Sequence, residues 1–172
     1  MVTLAPALDS PAALYRKLER EAYRAFHARS RTHKADHFFN FCVTAHSMRD
    51  YFLKHFCIEI EKERYHKEWN DTPVIVAARD IANSSKHFAL STKQLTRAVR
   101  LHKSKFATIL VSREGQLKIL RAEGPDVSIR LSDGTTLSLY AFTSEVLNYW
   151  KGYLGEFGIR VRRQSLAKLV EN

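Results

Sequence analysis

Hydrophobic positions recur at helical spacing over most of this chain and then switch to alternation near residue 106. Asp9-Ser10-Pro11 opens the first helix, because proline suits the first helical position. Leu14, Leu18, Ala22, Ala25 and Phe26 form its apolar stripe, and Arg16, Lys17, Arg20, Arg24 and Arg29 make the remainder basic. After a basic break at Ser30-Arg31-Thr32-His33-Lys34, the longest pattern runs from Ala35 to about Ile60. There Phe38, Phe41, Cys42, Ala45, Met48, Phe52 and Phe56 predict the main core helix. Its other side carries His46 and Asp50, four apart. Glu59 to Asp71 is charged and reads as a helix end and surface loop, anchored by Tyr65 and Trp69.

Thr72-Pro73 starts the next helix. At about 100° per residue, Val74, Ala78, Ile81, Ser85 and Phe88 share one face. Arg79, Asn83 and His87 share the other, with Asp80 and Lys86 beside them, and Val76 lies on that polar side. Ser91-Thr92-Lys93-Gln94 has capping-box spacing and predicts a short helix to about Arg100.

Alternation then predicts a small antiparallel meander of four strands: Phe106 to Ser112, Leu117 to Arg121, a run through Val127, Ile129 and Leu131, and one through Leu137 and Leu139. Turns are expected at Arg113-Glu114-Gly115-Gln116, at Glu123-Gly124-Pro125-Asp126, and at Asp133-Gly134, a strong hairpin signal. Thr143 is the expected cap of a last helix carrying Val146, Trp150, Tyr153, Leu154 and Phe157, which Gly158 ends. Leu166, Leu169 and Val170 allow a further short helix in the basic tail. The expectation is an α+β fold in one domain, with a helical body over about 10–103 and 142–158 and the meander over about 105–140.

Composition changes this picture in one respect. The 172 residues carry a formal net charge of +10. Such a balance argues for a polyanionic partner, nucleic acid above all, and says nothing about fold. Ser91 to Lys105 contains no acid and holds Lys93, Arg97, Arg100, Lys103 and Lys105, the most concentrated positive patch. The basic side of the first helix allows two readings, a solvated face or a phosphate-contacting one. Met1 to Ser10 lacks the order of a signal peptide, and no window approaches the roughly 20 apolar residues of a membrane span. Cys42 and Cys57 fall in one predicted helix, too far apart to bond each other, and read as reduced thiols. A cytoplasmic protein without membrane contact is expected.

Glycine-rich phosphate loops, paired-cysteine metal motifs and serine-hydrolase elbows are absent from the sequence. His33, Asp36 and His37 lack a third partner for a metal, so neither metal nor cofactor is expected. The Arg79–Asn83–His87 stripe is the candidate for chemistry. An imidazole there can act as general acid or base toward RNA, and a guanidinium can stabilise charge on the phosphoryl oxygens. Asn83 or Asp80 would orient the histidine. The alternative is structural: surface charges at Arg79 and Asp80, with Asn83 and His87 bonded to nearby backbone.

Arg79-Asp80, followed by His87 at the end of a helix in a basic, mostly helical chain, resembles the HEPN superfamily. So do Asp36-His37-Phe38-Phe39-Asn40-Phe41 and Lys86-His87-Phe88. The resemblance covers roughly Ala35 to Phe88. It implies a helical bundle, of which the meander before the last main helix is not a common part, a homodimer whose motifs line a shared cleft, and metal-independent RNA cleavage or RNA binding in a bacterial defence or toxin setting, with an antitoxin or a phage or host protein as possible partner. The family leaves four to six residues between arginine and histidine, whereas this chain leaves seven. The two side chains therefore lie about 12 Å apart along the axis. Pairing Arg79 of one copy with His87 of another would bring them together. A non-catalytic nucleic-acid-binding module and a protein-interaction subunit are the competing classes. In the first two readings Lys86, Lys93, Arg97, Arg100, Lys103 and Lys105 draw in the phosphate backbone.

Overall fold

Ser10 and Pro11 start the first helix as their chemistry requires. The Ser10 hydroxyl accepts from the Ala13 backbone N–H at 3.2 Å, and α1 runs Pro11–His27. The computed structural model describes residues 6–84, 98–111 and 117–162. Among these, α2 is Arg31–His55, α3 is Lys62–Asn70, α4 is Pro73–Ser84 and α5 is Leu139–Glu156. The strands are β1 (Ala98–Val111), β2 (Leu117–Arg130) and β3 (Thr136–Ser138), in sheet order β1-β2-β3 with antiparallel pairing. The fold is α+β: a mostly helical body with a small antiparallel sheet before the last helix.

The central helix is α2, flanked by α1 and α4, while α5 packs on α1. Phe38, Phe41, Cys42, Ala45, Met48 and Phe52 are all buried along α2, as the spacing predicts. Phe52 is the hub of one aromatic cluster, with ring centroids 4.6 Å from Phe157, 5.0 Å from Tyr153, 5.6 Å from Tyr65 and 5.9 Å from Trp69. Phe142 of α5 meets Phe38 and Phe41 edge-on at 5.8 and 6.3 Å. Such offset and edge-to-face pairs add to the burial of large apolar rings.

Several boundaries differ from the sequence reading. The basic break at Ser30 to Lys34 is the start of α2: Ser30 caps it, accepting from the His33 N–H at 3.1 Å. Lys34 is 2% exposed, and its ammonium donates to the Ala25 and Phe26 carbonyls at 2.8 and 2.9 Å. It thereby satisfies two orphan acceptors at the C-terminus of α1. Glu59 to Asp71 is a 3-10 turn (Glu59–Glu61) followed by α3, not a loop. Tyr65 and Trp69 bury one side of α3, which offsets its charged composition. α2 ends at His55, so Cys57 lies beyond it at a positive φ of 52°. Both cysteines are free thiols, Cys42 buried and Cys57 exposed.

The meander has three strands rather than four. The expected turn at Glu123–Asp126 is continuous strand, with Gly124 opposite Ser104 and Pro125 opposite Lys103. Among the described residues β3 covers β2 only at Ser128–Arg130, so Pro125 pairs with β1 alone, in a two-stranded part of the sheet where proline is better tolerated. Ala98 to Arg100 belongs to β1, because Ala98, Val99 and Arg100 pair with Arg130, Ile129 and Ser128. The helix expected up to Arg100 therefore does not reach it, and its start at Ser91 lies outside the described residues. The turn at Arg113 and the tail helix through Leu166 also lie outside them.

Asp133-Gly134 does form a hairpin tip, with Gly134 at φ +92° and Leu131 N–H donating to the Thr135 carbonyl at 2.8 Å. Ser138, not Thr143, caps α5, accepting from the Ala141 N–H at 3.2 Å. Thr143 is buried within α5 and donates to the Leu139 carbonyl at 2.9 Å. Gly158 ends this last segment at φ +79°, followed by an Ile159 N–H to Leu154 carbonyl bond of 2.9 Å.

Candidate nucleic-acid interface

α4 begins where the Ile75 and Val76 N–H groups both bond the Thr72 carbonyl at 3.0 Å. It is buried on more than one side: Val74, Ile75, Val76, Ala77, Ala78 and Ala82 are all enclosed. Val76 is thus core, which removes the puzzle of an apolar residue on a solvated face. Asp80 is buried too, its side chain 8% exposed beside an Arg79 side chain at 22%. The Arg79 Nε and Nη2 donate to Asp80 Oδ1 at 3.1 and 2.8 Å. Its Nη1 donates to the Asn70 side-chain oxygen at 2.7 Å. Asp80 therefore holds the Arg79 guanidinium in a fixed plane. Asn83 is half-buried, and Lys86 and His87 lie outside the described residues.

The structure adds a residue to this cluster from α2. Arg49 Nη1 donates to the same Asn70 oxygen at 3.3 Å, and the guanidinium carbon lies 5.5 Å from the Trp69 ring centroid. Arg49 is 4% exposed, and its Nε and Nη2 are buried with no acceptor. Burial, and then Arg79, push the Arg49 guanidinium down to about 10, against the opposing pull of Tyr149, Asp50 and Asp80. Sequence reasoning passed over Arg49 although the signal was present. It lies four residues after Ala45 and three before Phe52, on the apolar stripe of the core helix.

α1 shows a different arrangement. Its 17, 21 and 24 positions turn toward α2: the Lys17 ammonium donates to the Thr44 hydroxyl, Arg24 pairs with Glu21 at 3.1 Å, and His37 meets the other Glu21 oxygen at 3.1 Å. Burial lowers the Lys17 ammonium from its usual range, with Glu21 acting against that and Arg20 and Arg24 adding to it. Glu19 and Glu21, the two acids of α1, are 9% and 5% exposed. At about 100° per residue, Arg16, Arg20, Tyr23 and His27 form the outermost ridge. Arg16 and His27 are exposed, and Arg20 and Tyr23 half-exposed. The Tyr23 and His27 rings lie 4.2 Å apart, Phe26 meets His27 at 5.1 Å, and Phe26 meets Tyr140 of α5 at 5.8 Å. Phe26 and Tyr140 are 38% and 62% exposed, so aromatic surface interrupts the basic ridge. Burial, and then Lys34, hold His27 below the usual imidazole range.

The patch expected at Ser91 to Lys105 divides. Arg100, Lys103 and Lys105 are exposed on β1, but alternation puts Arg100 on one face and Lys103 and Lys105 on the other. Lys105 sits 3.7 Å from Glu123 in a solvated pair, an interaction worth little. Lys93 and Arg97 lie outside the described residues.

Among the described residues no group of three or more metal-ligating side chains converges, and no helix is long and apolar enough to cross a membrane. No protein-family model, curated protein or solved structure matches this chain. The residues themselves therefore carry the functional argument. A ridge of cations with carboxylates turned inward and exposed rings between them can hold phosphates and stack bases.

Proposed function

We propose that this protein binds single-stranded RNA along the outer ridge of α1. The observation that supports this reading is the sidedness of α1: Glu19 and Glu21 are buried, while Arg16, Arg20, Tyr23 and His27 face outward. An ordinary solvated helix face mixes both signs of charge, and this one does not. Arg16 and Arg20 contact the backbone, and Tyr23, Phe26 and Tyr140 offer faces to unstacked bases. The exposed Arg100, Lys103 and Lys105 extend the positive field.

Anisotropy of a labelled RNA single strand at 50 and 200 mM salt tests it. Two neutralised phosphates correspond to an affinity about sevenfold weaker at the higher salt. Replacing Arg16 and Arg20 by glutamate abolishes binding in this reading. Salt-independent affinity, or an R16E/R20E protein that binds as well as the parent, removes it.

Metal-independent RNA cleavage is the second reading, and the Arg79–Asp80 clamp favours it. A guanidinium bonded by Asp80 and Asn70 yet 22% exposed keeps donor capacity for a phosphoryl oxygen. His87, contributed by a second copy of the chain, would act as general acid or base, and Asn83 would orient it. Mixed RNA incubated with EDTA should be cut by the parent and spared by His87→Ala. Equal behaviour of the two proteins rejects the enzyme and leaves binding.

A further inference from the structure

α1 and α2 cross antiparallel, and three contacts fix their register: Lys17 with Thr44, Glu21 with His37, and Lys34 with the Ala25 and Phe26 carbonyls. The middle contact differs from the other two because it orients a titratable ring at the surface. Glu21 is buried, and its two oxygens take different partners, Arg24 on one and His37 Nδ1 on the other, each at 3.1 Å. A carboxylate bonded to a guanidinium is ionised and can only accept. The neutral His37 ring therefore carries its proton on Nδ1, which leaves the lone pair on Nε2. The His37 side chain is 32% exposed. With Nδ1 turned to the buried carboxylate, the exposed part of the ring is the side that bears Nε2. It is a base with a fixed direction.

His33 lies four residues before His37, so the two rings are neighbours on one face of α2. His33 is exposed, and the antiparallel crossing sets it level with the last turn of α1. Asp36 falls on the far side of His33 from His37. On the α1 side, Arg20 is half-exposed and borders Glu21 from the basic ridge. Cleavage of RNA at its own 2′-hydroxyl takes the nucleophile from the substrate. What the protein must add is a base, an acid and a cation near the phosphate. His37, His33 and Arg20 are those three groups.

We propose that His37 and His33 are a general base and general acid that cleave the RNA strand bound on α1, at a site separate from the Arg79 clamp. His37 Nε2 takes the proton of a ribose 2′-hydroxyl. The 2′-oxygen bonds the adjacent phosphorus, and the bond from phosphorus to the 5′-oxygen breaks. A protonated His33 gives its proton to that leaving oxygen. Arg20 faces the charge on the non-bridging oxygens. The products are a 2′,3′-cyclic phosphate and a 5′-hydroxyl, and both rings return to their starting states by proton exchange with water. Glu21 is a positioning residue that acts through His37. The inference rests on the RNA-binding reading above, with the strand lying over Arg20.

The test incubates a labelled RNA single strand with the protein in EDTA, reading binding by anisotropy and cutting by analysis of the ends. The parent should leave cyclic-phosphate ends, and a DNA strand of the same sequence should stay intact for want of the 2′-hydroxyl. His37→Asn, which keeps a donor toward Glu21, and His33→Ala should each cut at least about 100-fold more slowly at unchanged affinity. Imidazole added to His37→Ala should restore part of the rate, which a merely structural role would not allow. Nitrogen NMR should find the neutral His37 ring protonated at Nδ1, and Glu21→Gln should abolish that preference together with the cutting. RNA that binds the parent but survives intact overturns the proposal and leaves the binding reading standing. Cutting that persists in His37→Asn, or that is lost in His87→Ala while His37→Asn retains it, also overturns it. If no RNA binds, the reading of α1 fails and this inference fails with it.

Discussion

Arg49 and Arg79 donate to one acceptor, the side-chain oxygen of Asn70, at 3.3 and 2.7 Å. Two cations converge there, and Asp80 is the carboxylate bonded to Arg79. The arrangement is costly for the residue on the buried side. Arg79 is satisfied by Asp80 and Asn70, whereas Arg49 keeps two buried nitrogens without acceptors.

Arg49→Met should therefore stabilise the protein. The folded guanidinium is lowered to about 10 by burial and by Arg79. Its folded value lies below its unfolded value, so the charged form penalises folding at every pH below about 10. The penalty fades as pH rises through that value toward the ordinary arginine range. Urea unfolding at pH 7 should show R49M more stable by roughly 1–3 kcal/mol, because Asn70 and Asp80 keep Arg79 as partner. A loss of stability in R49M would show that its stacking on Trp69 outweighs the buried charge.

Lys34→Met should have the opposite sign. Burial lowers this ammonium as it lowers Arg49, with Asp126 acting against the shift, but the ammonium bonds two carbonyls at the end of α1. Removing it strands both carbonyls. Urea unfolding should show a loss of about 2–4 kcal/mol. Equal stability of K34M and the parent would mean that water takes over the carbonyls at no cost.

Neutralising two ridge arginines should change salt dependence in a countable way. If Arg16 and Arg20 each contact one phosphate of a single strand, R16Q/R20Q lowers the slope of log affinity against log salt by about 1.4. A titration from low to moderate salt measures it. An unchanged slope with weaker affinity would assign these residues to shape rather than to phosphate contact.

The two thiols should react at very different rates. Cys57 is exposed beyond the end of α2, and Cys42 is wholly buried with its thiol pushed well above the usual range. A thiol-reactive dye at pH 8 should label one cysteine quickly and the second only after denaturant. Fast labelling of both would contradict the packing of α2 against α1.

Periodicity made the body legible because its helices bury one stripe each, as Phe38 to Phe52 do. It misled wherever polar residues are inside. Lys34 read as part of a basic break because its buried role depends on carbonyls eight and nine residues earlier in the chain. Arg49 went unmarked because no local rule places a cation in an apolar stripe. The turn at Gly124-Pro125 was expected from residue preference, but pairing of Gly124 and Pro125 with Ser104 and Lys103 of β1 keeps the strand running through it. On the α1 ridge the basic residues were plain in sequence, whereas the burial of Glu19 and Glu21 is a tertiary fact. His33 and His37 were visible as a pair one turn apart, whereas the carboxylate that holds His37 is supplied by α1.

β1 lies at one edge of the sheet, and β3 shields β2 over three residues. Among the described residues no further strand pairs with the remaining margins, whose main-chain donors and acceptors can meet a strand that drifts by, including an identical one. The charges at Lys103, Lys105 and Glu123 hold such a visitor off, since docking would strip them of water. Swapping these three for threonine or valine would trade a well-behaved preparation for one that clouds on concentration.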